Sequence, residues 1–134
     1  MRSTLFFALL AMTVLASCES EEGRVTGTWQ GRRFENDVWT MTLEDSNGRL
    51  SGTYQIQWGE EPSEVSGSLT GSSGLAINPD FLDLLIEFDV EVAAGTAKCR
   101  FNATLRDEVV LSGETVCVRD AVEFQVGHLG LRRQ

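Results

Sequence analysis

From Val25 to Leu131 apolar and polar residues alternate with period two, in runs parted by Gly, Asn, Asp and Pro, and no amphipathic helical period follows Cys18. The runs predict strands over about 25–30, 37–44, 49–58, 64–70 and 82–92, then a hairpin about a turn at 106–110, then a last strand over about 121–131. Trp39, Met41 and Leu43 share one face of the second run, and Leu50, Tyr54, Ile56 and Trp58 share the matching face of the third. Asn47-Gly48 between them suits a tight turn that needs positive φ. The clearest run puts Leu82, Leu84, Ile86, Phe88, Val90 and Val92 on one face and Asp83, Glu87, Asp89 and Glu91 on the other. One buried face per strand fits an antiparallel sheet, because a parallel sheet covered on both sides reads apolar throughout. The Gly- and Ser-rich stretch 71–80 reads as the longest break. Eight strands in order with short connections predict an all-β, antiparallel up-and-down meander, closed into an eight-stranded barrel because closure removes the exposed edges.

A short theme recurs within these runs. Val25-Thr26-Gly27-Thr28-Trp29, Leu50-Ser51-Gly52-Thr53-Tyr54, Val65-Ser66-Gly67-Ser68-Leu69 and Leu111-Ser112-Gly113-Glu114-Thr115 each set an aliphatic residue, a small hydroxyl residue and a glycine before a larger side chain two places on. Glycine weakens a strand, so its repeated use implies a geometric need, and small barrels need sharp coiling and close backbone approach. The spacing of the four copies is too irregular for propeller blades.

The first seventeen residues break the pattern. Met1-Arg2 precedes an apolar run from Leu5 to Leu15, too short to span a bilayer as a stable helix and suited to the core of a signal peptide. The run stops at Leu15-Ala16-Ser17-Cys18, which resembles the lipobox of bacterial lipoproteins. That resemblance implies cleavage before Cys18 and a diacylglycerol on its thiol. The chain then divides into a leader at 1–17, a lipidated cysteine and acidic tether at 18–24, and a β-barrel domain at 25–134. Six extended tether residues reach about 20 Å at most, which keeps the domain close to the bilayer. The expected location is the cell envelope: the outer membrane where the cell has one, since Glu19 is not the aspartate that marks inner-membrane retention in enteric bacteria, and otherwise the outer face of the cytoplasmic membrane.

Charge narrows the partners. After the leader, twenty acidic residues stand against ten basic ones, a formal charge of −10, and Lys98 is the only lysine. Nucleic acid and anionic lipid both need a basic face, so neither is expected, and membrane attachment falls to the lipid on Cys18. An exported chain lies in an oxidising compartment, where the remaining cysteines form an even pair. A hairpin centred near Asp107-Glu108 sets Leu105 opposite Leu111, Ala103 opposite Gly113, Phe101 opposite Thr115, and Cys99 opposite Cys117. Cross-strand cysteines at such a position are close enough to bridge, and no other soft ligands lie nearby for a metal site, so a Cys99–Cys117 disulfide is expected.

Gly27-Thr28-Trp29 at the first strand resembles the glycine–x–tryptophan signature of the calycin barrels, the lipocalins and avidins, and the phrase Asn47 to Tyr54 looks like the second avidin hairpin. The resemblance implies that Trp29 plugs one end of the barrel beneath a basic residue near the end of the last strand, for which Arg132 is the candidate. It does not extend to biotin. The avidin pocket takes aromatic walls from the second half of the barrel, and no tryptophan or tyrosine follows Trp58 here.

Catalytic chemistry is not legible. His128 is the only histidine and lies in no nucleophile motif, while Glu87, Asp89 and Glu91 lie along one strand face rather than in a calcium loop. No Walker loop, zinc motif or catalytic dyad appears, so no enzyme activity, metal or cofactor is expected. Two functions remain. One is a non-catalytic platform or inhibitor that meets an envelope protein. The other is a lipocalin-like carrier or sensor of a small apolar ligand, with Trp39, Tyr54 and Trp58 as its walls. The inward set is rich in Leu, Ile, Val and Phe, enough to fill a small barrel, which favours the platform.

Overall fold

The computed structural model describes residues 23–33, 37–59, 63–75, 81–92 and 95–134. The leader 1–17, Cys18 and the first part of the tether lie outside the described residues, as does most of the expected break after residue 75. Eight strands follow in order: β1 (Gly27–Arg32), β2 (Val38–Ser46), β3 (Arg49–Trp58), β4 (Ser63–Leu75), β5 (Leu82–Val92), β6 (Gly95–Arg106), β7 (Val110–Arg119) and β8 (Val122–Arg133). Each pairs antiparallel with its neighbour in sequence, and β8 returns to β1 through Gln30↔Arg132 and Trp29↔Arg133, closing the barrel.

Period-two patterning turns directly into an inside and an outside. Trp39, Met41 and Leu43 of β2 are buried, as are Leu50, Tyr54 and Ile56 of β3. Leu82, Leu84, Ile86, Phe88 and Val90 of β5 face the same core, and Asp83, Glu87, Asp89 and Glu91 are exposed between them. The β6–β7 hairpin has the expected register throughout, with Leu105↔Leu111, Ala103↔Gly113, Phe101↔Thr115 and Cys99↔Cys117. The two cysteines are joined as a disulfide and are buried. Asn47 (φ 53°) and Gly48 (φ 80°) make the tight β2–β3 turn, steadied by the Gly48 N–H donating to the Asp45 carboxylate at 3.2 Å.

Two of the glycines in the recurring theme meet their geometric need as close backbone approach. A Cβ on Gly52 would stand 1.8 Å from the Thr42 carbonyl oxygen, and one on Gly113 would stand 1.7 Å from that of Asn102. No side chain fits there without parting the strands, so these glycines let the sheet coil tightly enough to close. The same reason corrects the reading of 71–80 as a break. Residues 71–75 belong to β4, paired with β5 from Gly71↔Ile86 to Leu75↔Leu82, and a Cβ on Gly71 would stand 2.1 Å from the Leu85 carbonyl oxygen. Glycine and serine there serve a crowded strand and not a loop. The first strand also begins later than the pattern suggests. Gly23 to Thr26 form a turn, with the Thr26 N–H donating to the Gly23 carbonyl at 3.1 Å, and Val25 is folded into the core ahead of β1.

Candidate functional site

The two ends of the barrel differ in construction. At the first, the turn before β1 folds inward and Val25 and Trp29 are both fully buried. The Trp29 indole N–H donates to the Val25 carbonyl at 2.9 Å, so the tryptophan has a partner for its one polar atom. The guanidinium lying over the ring belongs to Arg133, 4.4 Å from the ring centroid, and not to Arg132 as the signature suggested. Strand parity is the reason. Leu129 and Leu131 of β8 point inward, so Arg133 continues that face, whereas Arg132 sits beside Gln30 and is exposed.

Arg133 does more than cover the ring. It donates to the Arg24 carbonyl at 2.6 Å, to the Thr26 carbonyl at 2.7 Å and to the Glu108 carbonyl at 3.0 Å. Arg24 in turn pairs with the Glu108 carboxylate at 2.6 Å. The Asp45 N–H donates to the Thr26 hydroxyl at 3.0 Å, and the Gln134 N–H to the Thr28 carbonyl at 2.9 Å. One planar, five-donor cation therefore ties the segment before β1, the β6–β7 turn and the last strand into a single closed pole.

At the opposite pole the aromatic residues singled out in the sequence do converge. Trp39 stands edge-on to Trp58 (centroids 6.1 Å apart) and to Phe88 (6.3 Å), and Tyr54 packs against Phe88 at 4.8 Å. Trp39 and Tyr54 are buried, and Trp58 is half-buried against them. Phe88, which the sequence placed only in a strand face, is the residue that joins the two pairs; its inward parity was the available signal. The three tryptophans thus sort to the two poles, one under Arg133 and two in the aromatic cluster. The buried Trp39 indole N–H has no acceptor among the described residues, nor does the buried Thr115 hydroxyl.

A third feature lies in the wall. The β4–β5 ladder runs from Leu75↔Leu82 only as far as Leu69↔Phe88, although β4 extends back to Ser63 and β5 onward to Val92. The two strands part there, leaving a cleft of about 440 Å³ lined by Tyr54, Ser66, Gly67, Ser68, Phe88 and Asp89 among others. The Tyr54 side chain lies against Gly67, where a Cβ would come within 3.0 Å of its ring, and its hydroxyl donates to the Asp89 backbone carbonyl on the far side. Burial, and then the Asp89 and Glu91 carboxylates, push the Tyr54 phenol above its ordinary value. The third glycine of the theme therefore makes room for a side chain where the second and fourth make room for backbone.

His128 is exposed on the outer face, its Nδ1 3.3 Å from the Glu114 carboxylate across the β7–β8 ladder. Among the described residues no group of three or more His, Cys, Asp or Glu side chains is placed to hold a metal ion. Set against known protein families, curated proteins and solved structures, the chain matches none, so its closed eight-stranded barrel and the residues at its poles and wall carry the functional reading alone.

Proposed function

We propose that this chain is a lipid-anchored lipoprotein of the cell envelope whose calycin-like barrel is a solid, non-catalytic platform for another envelope protein, as an inhibitor or assembly factor. The observation that carries the reading is the filled interior. Trp39, Trp58, Tyr54 and Phe88 contact one another at the pole where a carrier would open, and the inward side chains from Met41 to Leu131 are buried against each other. Eight strands give a barrel just wide enough for side chains to fill or for one small ligand, and here side chains take the space. The anchoring part rests on the sequence Leu15-Ala16-Ser17-Cys18 after its apolar run.

A carrier of a small apolar ligand is the second reading, and one observation favours it: the buried Trp39 indole N–H has no acceptor among the described residues, which a ligand oxygen would supply. Native mass spectrometry of the protein extracted from its host, combined with thermal melts of Trp29→Ala, Trp39→Ala and Trp58→Ala, separates the two. The platform reading expects an empty protein, with Trp29→Ala and Trp39→Ala both losing stability by roughly 3–5 kcal/mol as buried cavities open. A copurified small molecule that disappears in Trp39→Ala or Trp58→Ala overturns it. Lipid labelling in cells tests the anchor separately: Cys18→Ala should abolish it, and unchanged labelling removes that part of the proposal.

A further inference from the structure

The wall between β4 and β5 is parted beyond Leu69↔Phe88. The Tyr54 hydroxyl reaches the Asp89 carbonyl from the β4 side, so that carbonyl points into the cleft. The N–H and C=O of one strand residue point the same way, successive residues point oppositely, and residues two apart agree. Asp89 and Glu91 therefore both turn their backbone groups toward β4. The register Thr70↔Glu87 gives Ser68 and Ser66 the matching parity on the other lip. Beyond Leu69↔Phe88 these groups pair with no strand among the described residues. The closed barrel thus keeps a stretch of edge here, as β8 also does where its pairing with β1 stops at Gln30↔Arg132, and an edge is a template for another extended chain.

Charge selects the occupant. Glu64, Glu87, Asp89 and Glu91 are exposed around the lips, and two cations on β6 face them, Lys98 at 3.9 Å from Asp89 and Arg100 opposite Glu87, which leaves the lips acidic on balance. A second copy of this chain would bring the same acidic lips and a formal charge near −10 of its own, so pairing of like edges is opposed. On the inner side the cleft is lined by Tyr54, Leu69 and Phe88, which suit apolar side chains. A strand added here would alternate, one set of side chains outward beside the carboxylates and the next set inward onto the aromatic rings.

From this geometry we infer that the cleft binds an extended basic segment of a partner protein, with Lys or Arg alternating with apolar residues, by strand addition to the β5 edge. The inference names the partner chemistry for the platform reading and rests on it. The Tyr54 hydroxyl acts as a placeholder: it holds the Asp89 carbonyl where the incoming N–H would donate, and it moves aside on binding. Removing it frees the acceptor while leaving the ring in place.

The test uses the full chain purified from its envelope in a neutral detergent, with a dye-labelled Lys-Val-Lys-Val-Lys-Val peptide as probe. Fluorescence anisotropy should show saturable binding that the double variant Asp89→Lys, Glu91→Lys weakens by about ten-fold or more. A control with the same number of reversals on another wall, Glu114→Lys with Glu123→Lys, should weaken it far less. The same peptide N-methylated at alternate residues on its pairing side keeps its charge but loses its donors, and it should bind at least about ten-fold more weakly. Tyr54→Phe should bind as tightly as the wild type or tighter, and hydrogen exchange should slow at the amide of Glu91 in the complex. Four results overturn the inference: no binding, equal binding of the N-methylated peptide, equal loss from the two double reversals, or a dimer in sedimentation that the peptide does not disperse. None of these touches the filled interior, which the search for a copurified small molecule decides on its own.

Discussion

Replacing Arg133 by alanine should open the closed pole, and the structure sets the size of the effect. The side chain makes three hydrogen bonds from a cation to backbone carbonyls, at 2.6, 2.7 and 3.0 Å, and lies 4.4 Å above the Trp29 ring. Charged hydrogen bonds contribute about 1.5–3 kcal/mol each when well desolvated, and a cation–π contact about 0.5–2 kcal/mol. Simple addition overstates the loss, since Arg133 is only half-buried and water can reach the freed carbonyls at the rim. A total of about 2–4 kcal/mol is the reasoned value, measured by urea unfolding of the purified protein followed by tryptophan fluorescence. Arg133→Lys should lose roughly half as much, because a point-like ammonium cannot serve three diverging carbonyls and stack on an indole together. Arg132→Ala, on the outer face, should cost less than about 1 kcal/mol. Hydrogen exchange should also quicken at Thr26, whose N–H closes the turn before β1. Equal losses for Arg132→Ala and Arg133→Ala, or a loss below about 0.5 kcal/mol for the latter, would refute the argument that Arg133 holds the pole together.

Three further outcomes are expected. Non-reducing mass spectrometry of the extracted protein should link Cys99 to Cys117, and replacing both by alanine should lower stability by about 2–5 kcal/mol, whereas free thiols in that preparation would contradict the pairing. Tyr54 is the only tyrosine, so its near-ultraviolet phenolate absorbance titrates alone. Its pKa is raised in the fold, so the neutral phenol keeps its full contribution below the unfolded value near 10. That contribution is lost as pH rises through the folded value; stability should therefore fall more steeply above about pH 10 in the wild type than in Tyr54→Phe, and parallel curves would exclude it. Ala121 holds φ 62° beside Asp120 at φ 51° in the β7–β8 turn, so Ala121→Gly should stabilise by about 0.5–1 kcal/mol in thermal or urea melts; Glu108→Gly, at φ 60°, should gain less or lose, because Glu108 also binds Arg24.

The fold was legible because its period-two signal is strong and one-sided. Asp83, Glu87, Asp89 and Glu91 against Leu82, Leu84, Ile86, Phe88 and Val90 leave a single arrangement, and the pairing of Cys99 with Cys117 follows once the hairpin centre is fixed. What the pattern could not carry was geometry set by neighbours. Gly71 and Ser72 read as loop residues because composition alone cannot tell a flexible glycine from one pressed against the Leu85 carbonyl. The choice of Arg132 followed a signature, whereas strand parity points to Arg133 because Leu129 and Leu131 are buried on the inward face. The parted stretch of wall left no trace in the sequence: Ser63 to Ser68 read as a strand and pair with β3, and only the lack of a β5 partner among the described residues beyond Leu69↔Phe88 reveals it. The aromatic cluster was half visible, through Trp39, Tyr54 and Trp58, with Phe88 hidden among the apolar residues of β5.

The closed pole also decides how the domain would bear a mechanical load. The chain enters the barrel through the turn at Gly23, and β1 runs from that pole toward the aromatic one. With the lipid on Cys18 that we propose, a pull between bilayer and partner enters the described chain at Gly23, and its component along β1 loads that strand from its first residue. Such a pull drags β1 lengthwise past β2 and β8, so the ladder bonds from Gly27↔Leu43 to Arg32↔Val38 strain together instead of opening one at a time. Before the ladder feels it, the load passes through the Arg24 and Thr26 carbonyls, both held by Arg133 at the far end of the chain. The fold is thus braced at its point of attachment, where Arg133 holds the segment that leads into β1.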